Sequence, residues 1–318
     1  MRTYVLKRLV IAGVTLLGMS LLLFVLMRLA PGNITDILFE SAGYVDEADR
    51  HRLEAELGID RPVIVQYATW LGDLARGNLG KSYRYELPAW EVIRPRLPVT
   101  FELAVLSMLF AVLLGVPAGV VSAVQRGHLL DYVLRVLSLA GLSMPAFWLG
   151  MLVILTLVRA LGWIPSMTYV SPFEDLRANL GQFLLPALAV GYRSSALIMR
   201  ITRSTMLEVL REDYIRTAWA KGQHARGVVW RHALKNASLP VVTLIGIEFA
   251  FLIGGLVVTE TVFNLPGVAR YLVDAIQFRD YPIVQNLAML IAVVVVLANL
   301  AVDLLYGWLD PRIWYRSA

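Results

Sequence analysis

Two ionisable residues, Arg193 and Glu248, stand where charge is expensive. Arg193 lies midway along the apolar run Phe183–Thr202, and Glu248 midway along Ala237–Thr259. An isolated arginine at bilayer depth costs at least about 2.5–3.5 kcal/mol, so such groups are paired or face a watery cavity. The pattern predicts that both face the interior or a subunit interface beside a polar path, or that they pair and hold two helices together. Pro145 sits inside a third apolar run, Val136–Val158. It removes a backbone donor and predicts a kink, serving as a hinge or as a fixed bend. Arg193, Glu248 and Pro145 are therefore the candidates for a polar route across a membrane. Glu102, Asp131 and Asp303 lie nearer the ends of apolar runs, where snorkelling or capping suffices.

Other chemistry is scarce. The stretch GNLGKS, Gly77–Ser82, has a GK pair, but the position five residues before it holds Ala75. A phosphate-binding loop needs glycine there so that backbone amides can wrap the phosphates, and a turn is the expectation. The histidines His51, His128, His224 and His232 have no metal-ligand spacing and no serine–acid companions. Without cysteine, disulfides, thiolate metal sites and cysteine catalysis are excluded. No catalytic constellation and no cofactor-binding motif emerges.

The elements that must position these residues are legible from composition. The 318 residues are 58% hydrophobic and only 17% charged, against nearly a quarter charged in soluble domains. The excess is clustered. Leu9–Met27, Leu103–Val124, Val136–Val158 and Pro282–Val302 contain no Asp, Glu, Lys or Arg. Each is close to the ~20 residues that a helix needs to cross hydrocarbon. With the two runs that charge interrupts, Phe183–Thr202 and Ala237–Thr259, they predict an all-α polytopic membrane protein with about six transmembrane helices. The net charge of +5 reflects basic residues beside the spans, which points to membrane topology and away from nucleic acid. Their asymmetry places both termini on the cytoplasmic side of the membrane. The first run follows Lys7 and Arg8 but is too long for a signal peptide, so it reads as a retained helix.

Residues 1–98 then read as the first transmembrane helix plus a folded extracytoplasmic segment, and residues 99–318 as a core of five transmembrane helices. Within the segment, Asp46–Leu57 predicts a polar helix ended by Gly58, with Tyr67–Leu74 packing on it. The longest polar stretch of the core is Met206–Leu239, MLEVLREDYIRTAWAKGQHARGVVWRHALKNASL. Helix formers run up to Lys221, small Ala218 and Ala220 permit close packing, and Gly222 permits a sharp turn. A second short helix is expected over Val228–Asn236. Two short helices joined by a glycine make a rigid knob suited to a partner's groove.

This stretch carries a resemblance. RTAWAKG followed by HALKN resembles the EAA loop of ABC importer permeases, in the form found in the dipeptide, oligopeptide and nickel permease family. Arg216, Thr217 and Ala218 stand at the EAA positions and Gly222 at the glycine. His232 replaces the family's Ile, Leu234 matches its Leu, and Lys235 replaces its Pro. Further resemblances follow in order: LGIDRPVIVQYATWLGDLARGNLGKS, RLPVTFELA, SMPAFWLG, ETVFNLPGVARYLVDAIQFRDYPIVQ and NLAVDLLYGWLDPRIWY.

The resemblance implies a type I ABC importer permease fold and a subunit without enzymatic activity of its own. It implies assembly with a second, homologous permease, two cytosolic ATPase subunits or domains that bind ATP and Mg, and an extracytoplasmic solute-binding protein. The setting is a bacterial or archaeal cell membrane. Coupling to the ATPases would fall to residues 206–239, through Arg216, Thr217, Ala218, Ala220, Lys221, Gly222, His232, Leu234 and Asn236. Di- or oligopeptides are the expected cargo; nickel chelates, opines and oligosaccharides travel through similar permeases. The competing class is a self-contained secondary transporter, which usually shows paired repeats with broken helices and needs no ATPase-docking knob.

Overall fold

The structure, a computed structural model, describes residues 2–29, 60–162 and 168–309. The expected polar helix over Asp46–Leu57 lies outside these residues. Among the described residues, five helices are long and apolar enough to cross a membrane, and a sixth candidate is a bent pair.

Helix α1 (Arg2–Leu29) leads to α2 (Val63–Ala75) and the short α3 (Ala89–Ile93), which runs through a 3-10 turn into α4 (Leu97–Val124). Next come α5 (Leu129–Ser143) and α6 (Ala146–Leu161), then the long α7 (Leu176–Val209). A short α8 (Asp213–Ala220) precedes α9 (Leu234–Gly255). The chain finishes with α10 (Val257–Val262), α11 (Val268–Gln277) and α12 (Tyr281–Leu309).

The third apolar run, Val136–Val158, is not one straight helix: it bends at Pro145, where the sequence predicts a kink. It is broken between α5 and α6, whose axes differ by 100°. Met144 is extended (φ −93°, ψ 127°) and so is Pro145 (φ −62°, ψ 135°). The residue before a proline is pushed out of the helical region, and two consecutive extended residues turn the chain. Pro145 therefore stands at the corner as the first cap of α6; its carbonyl accepts from the Trp148 and Leu149 amides at 3.1 and 3.2 Å.

The centre of the bundle is the pair α4 and α7, which run parallel because α5 and α6 return the chain between them. Glycines set their separation. A β-carbon on Gly119 would stand 2.6 Å from the Thr202 Cβ, and one on Gly115 2.7 Å from the Ser195 carbonyl oxygen. From the other side, one on Gly191 would stand 2.6 Å from the Ser107 carbonyl oxygen. Gly115 and Gly119 are four apart, the spacing that brings membrane helices into backbone contact. Around this pair Leu103, Ala111, Phe183, Ile198 and Leu265 are fully buried.

Helix α1 flanks α12. Arg8 pairs with Asp303 at 2.7 Å at one end. At the other, buried Phe24 packs on Tyr67 and Trp70 of α2. The Ser20 and Tyr67 hydroxyls share a hydrogen bond of 2.9 Å. The loop holding GNLGKS is a turn, as its composition predicted. Gly77 (φ +77°) and Gly80 (φ +68°) are left-handed, and Lys81 bridges Pro88. Asp280, 2% exposed, receives the Ser82 hydroxyl and, at 3.1 Å, the Tyr83 amide. One carboxylate thus ties this loop to the start of α12.

Candidate functional site

The end of the bundle that carries α8 is a packed, polar-faced knob. The side chains of Ile215 and Ala218, three apart on α8, are buried. They share a cluster with Val120 and Ala123 of α4, Met206 of α7, and Val228, Val229, Ala233 and Ala237. The opposite face of α8 shows Arg216, Thr217, Trp219 and Ala220 to the exterior, and Lys221 and Gly222 follow in the open. Arg216 meets Asp213 at 3.2 Å, an exposed pair whose worth in stability is small. Gly222 is left-handed at φ +72°, the conformation that a glycine adopts without steric cost.

The second helix of the expected knob is not a separate one. Residues Gly227–Ala233 are wound as a π-helix and run directly into α9, so Gly227–Gly255 forms one candidate span. The apolar residues Val228, Val229 and Ala233 face the cluster because the wider winding keeps them on one side. His232 and Leu234 are half-buried on this segment, while Asn236 is exposed and donates to the Tyr214 hydroxyl at 2.8 Å. That bond locks α8 onto the root of α9. Ala218 does not offer its small side chain outward; it seats the helix.

Beside the knob lies a buried ion pair for which snorkelling or capping was the expectation. Asp131 is 1% exposed. Arg203 of α7 donates to it from Nε and from a terminal nitrogen, both at 2.9 Å. Ser122 of α4 donates at 2.6 Å and the Gly127 amide at 3.1 Å. The carboxylate thus fastens α4, the α4–α5 turn and α7 at one point.

The three candidates for a polar route are not brought together. Glu248 is buried inside the subunit and accepts from Ser194 at 2.9 Å. Arg193, the residue before Ser194, is exposed; it forms no ion pair with Glu248 among the described residues. Pro145 is exposed at the α5–α6 corner.

Sequence reasoning missed Glu260, at the opposite end of the bundle. It is fully buried and accepts from Thr100 at 2.5 Å and from the Arg270 amide at 2.8 Å. Thr100 in turn accepts from the Val268 amide at 2.8 Å. The carboxyl therefore caps the first turn of α11 directly at Arg270 and, through Thr100 160 positions away, at Val268. Burial outweighs these bonds and pushes it up to about 7. The available signal was an acid inside the apolar stretch Leu256–Phe263.

The chain matches known proteins along its length. The family described as Binding-protein-dependent transport system inner membrane component matches residues 115–315, and its N-terminal companion matches residues 1–104. The chain is 41% identical over 341 residues to the Dipeptide transport system permease protein DppB of Escherichia coli (strain K12), covering 100% of both. It is 40% identical over 336 residues to the protein of the same name from Alkalihalophilus pseudofirmus, covering 99% of this chain and 100% of that one. Among solved structures, a chain of the MetNI methionine ABC transporter in inward facing conformations superposes with a TM-score of 0.56 at 18% identity. The match covers 70% of this chain and 98% of that chain. An amino acid ABC transporter solved with histidines gives 0.52 at 14% identity, over 68% and 92%. At such identities the likeness speaks for the fold, that of ABC transporter permeases.

Proposed function

Since the chain belongs to the family of binding-protein-dependent transport system inner membrane components, we propose that it is the permease subunit of an ATP-driven importer of di- or oligopeptides. The observation that carries the cargo is identity of about two residues in five, end to end, with dipeptide permeases. The subunit forms half of the translocation path, with a second homologous permease forming the rest. Both termini and the α8 end face the cytoplasm. Residues 1–98 supply the first span and an extracytoplasmic segment that faces the solute-binding protein.

The α8 knob docks on a cytosolic ATPase, and ATP and Mg are bound there. Ile215 and Ala218 root the knob in the bundle, so a push on its exposed face moves α4, α7 and α9 together. The docking face consists of Arg216, Thr217, Ala220 and Lys221, extended by Trp219 and Trp230, which are 45% and 48% exposed. A rigid lever of this kind suits transmission of closure, because packed interfaces switch between discrete arrangements instead of deforming smoothly.

The test is reconstitution of the chain with its cognate permease, ATPases and binding protein in proteoliposomes. Peptide-loaded binding protein should stimulate ATP hydrolysis, and labelled peptide should accumulate only when this chain is included. Uptake without ATPases would establish a secondary transporter instead. Stimulation by a nickel chelate, an opine or an oligosaccharide, with none by peptides, would keep the importer and replace its cargo.

A further inference from the structure

Arg193 is not a solitary charge. At 3.6 residues per turn, positions seven, eleven and eighteen residues on return to within about 20° of the same direction. Arg200, Ser204 and Arg211 therefore lie in line with Arg193 along α7 and the turn that follows it, and all four are exposed. Toward the start of the helix, Pro186, Ala189 and Val190 on and beside this line are buried. The exposed stripe thus begins near the middle of α7 and continues to the α8 end.

There Arg200, Ser204 and Arg211, beyond Arg193, form one wall of a cavity of about 700 Å3, which Arg126 of the α4–α5 turn and Arg135 of α5 also line. Five arginines face two glutamates, Glu208 and Glu212. Arg203 is committed to Asp131, and Arg135 lies 5.5 Å from the centre of the Tyr132 ring. Arg126, Arg200 and Arg211 have no carboxylate partner among the described residues. Hydrocarbon cannot cover such a stripe: one mid-span arginine already costs at least about 2.5–3.5 kcal/mol there. Water, or an anionic ligand carried by water, can. The volume falls within the ~300–1,000 Å3 of small-molecule sites.

We infer that the stripe Arg193–Arg200–Ser204–Arg211 is a water-filled, anion-guiding wall of the translocation path, and that the cavity receives the carboxylate of the passing substrate. The inference rests on the importer reading above and names the charge that the path selects. A zwitterionic peptide would follow the stripe with its carboxylate end while its ammonium group meets Glu208 or Glu212.

This chain has no cysteine, so label on it reports the introduced thiol alone. Ser204→Cys, in the complete importer in nanodiscs of phosphatidylcholine, is treated with methanethiosulfonates carrying either a sulfonate or a trimethylammonium group. The sulfonate reagent should gain about tenfold over its ratio at a free thiol, since charged clefts raise local counter-ion concentration by at least that much. The gain should shrink with added salt, and again in Arg200→Gln and Arg211→Gln. Val136→Cys, on the apolar face of α5, should be slow with both reagents. Alanyl-alanine should slow the sulfonate reagent at Ser204→Cys, whereas alanyl-alaninamide should not.

An unreactive Ser204→Cys, or one without anion preference, overturns the proposal. Equal protection by the two peptides overturns the carboxylate assignment. Labelling that is lost when phosphatidylglycerol replaces phosphatidylcholine would make the cavity a lipid-headgroup site and also overturn it. If an arginine variant fails to assemble, the salt dependence in Ser204→Cys alone still decides. Anion preference without transport of any peptide would sink the cargo assigned above and leave the anion-guiding wall standing.

Discussion

Arg203 grips Asp131 with two hydrogen bonds of 2.9 Å each, across 72 positions of sequence. The pair joins the first turn of α5 to the far half of α7, between the glycine contacts of α4 and the knob. It holds the knob's root in register with the helices that line the proposed path.

Removing one partner strands a buried charge. Arg203→Met should therefore cost about 3–5 kcal/mol of local stability. The readout is a lower melting temperature and reduced recovery of monodisperse protein in detergent, by fluorescence-detected size exclusion. Pairing it with Asp131→Asn should restore part of the loss. If Arg203→Met melts like the parent, the clamp is not structural.

The knob makes a separate prediction. A side chain at Gly222 must adopt a left-handed backbone, with strain of about 1–3 kcal/mol. No atom stands within 4 Å of the position a β-carbon would take there, so the fault would be confined to the turn. Gly222→Asp should abolish transport and weaken retention of the ATPase on affinity purification, while insertion into the membrane is unchanged. Ala218→Glu should do the same by a different route, driving a charge into the Met206–Val228 cluster. Normal transport in both would reduce this stretch to a topological anchor.

Glu260 predicts a pH dependence. Its carboxyl is raised from the ordinary 4.5 to about 7 by burial. Between those values the unfolded chain has released the proton and the folded chain keeps it. The stabilising contribution is thus complete below about pH 4.5 and lost as pH rises through 7, a change of roughly 3 kcal/mol for such a shift. Melting temperature in detergent should fall over that window, and Glu260→Gln should flatten the fall. A parent and variant with the same slope would remove Glu260 as its source.

Topology is checkable with single cysteines. Gln277, at the end of α11, and Gln223, after the Gly222 turn, are both exposed at opposite ends of the bundle. An impermeant maleimide applied to whole cells should label Gln277→Cys, and should reach Gln223→Cys only after the membrane is opened. Labelling of Gln223→Cys from outside would invert the orientation.

Composition alone determined that this is an all-α polytopic membrane chain, because runs of ~20 uncharged residues satisfy their backbone bonds in lipid only as helices. The run RTAWAKG likewise marked the knob and its glycine, since a left-handed turn after a helix is a local demand that local residues meet. Tertiary structure decided the rest. Whether Val136–Val158 is one helix or a 100° corner depends on what covers the polar groups freed at Met144 and Pro145. Whether Val228–Asn236 ends or continues into α9 depends on the cluster beneath it. The partners of Asp131 and Glu260 came from residues 72 and 160 positions away. Arg193 and Glu248 looked equivalent as charges midway along apolar runs. The fold sent Glu248 inward to Ser194 and Arg193 outward to a stripe of its own kind. A lone charge in a sequence shows that a polar neighbour is required, but only packing chooses which one.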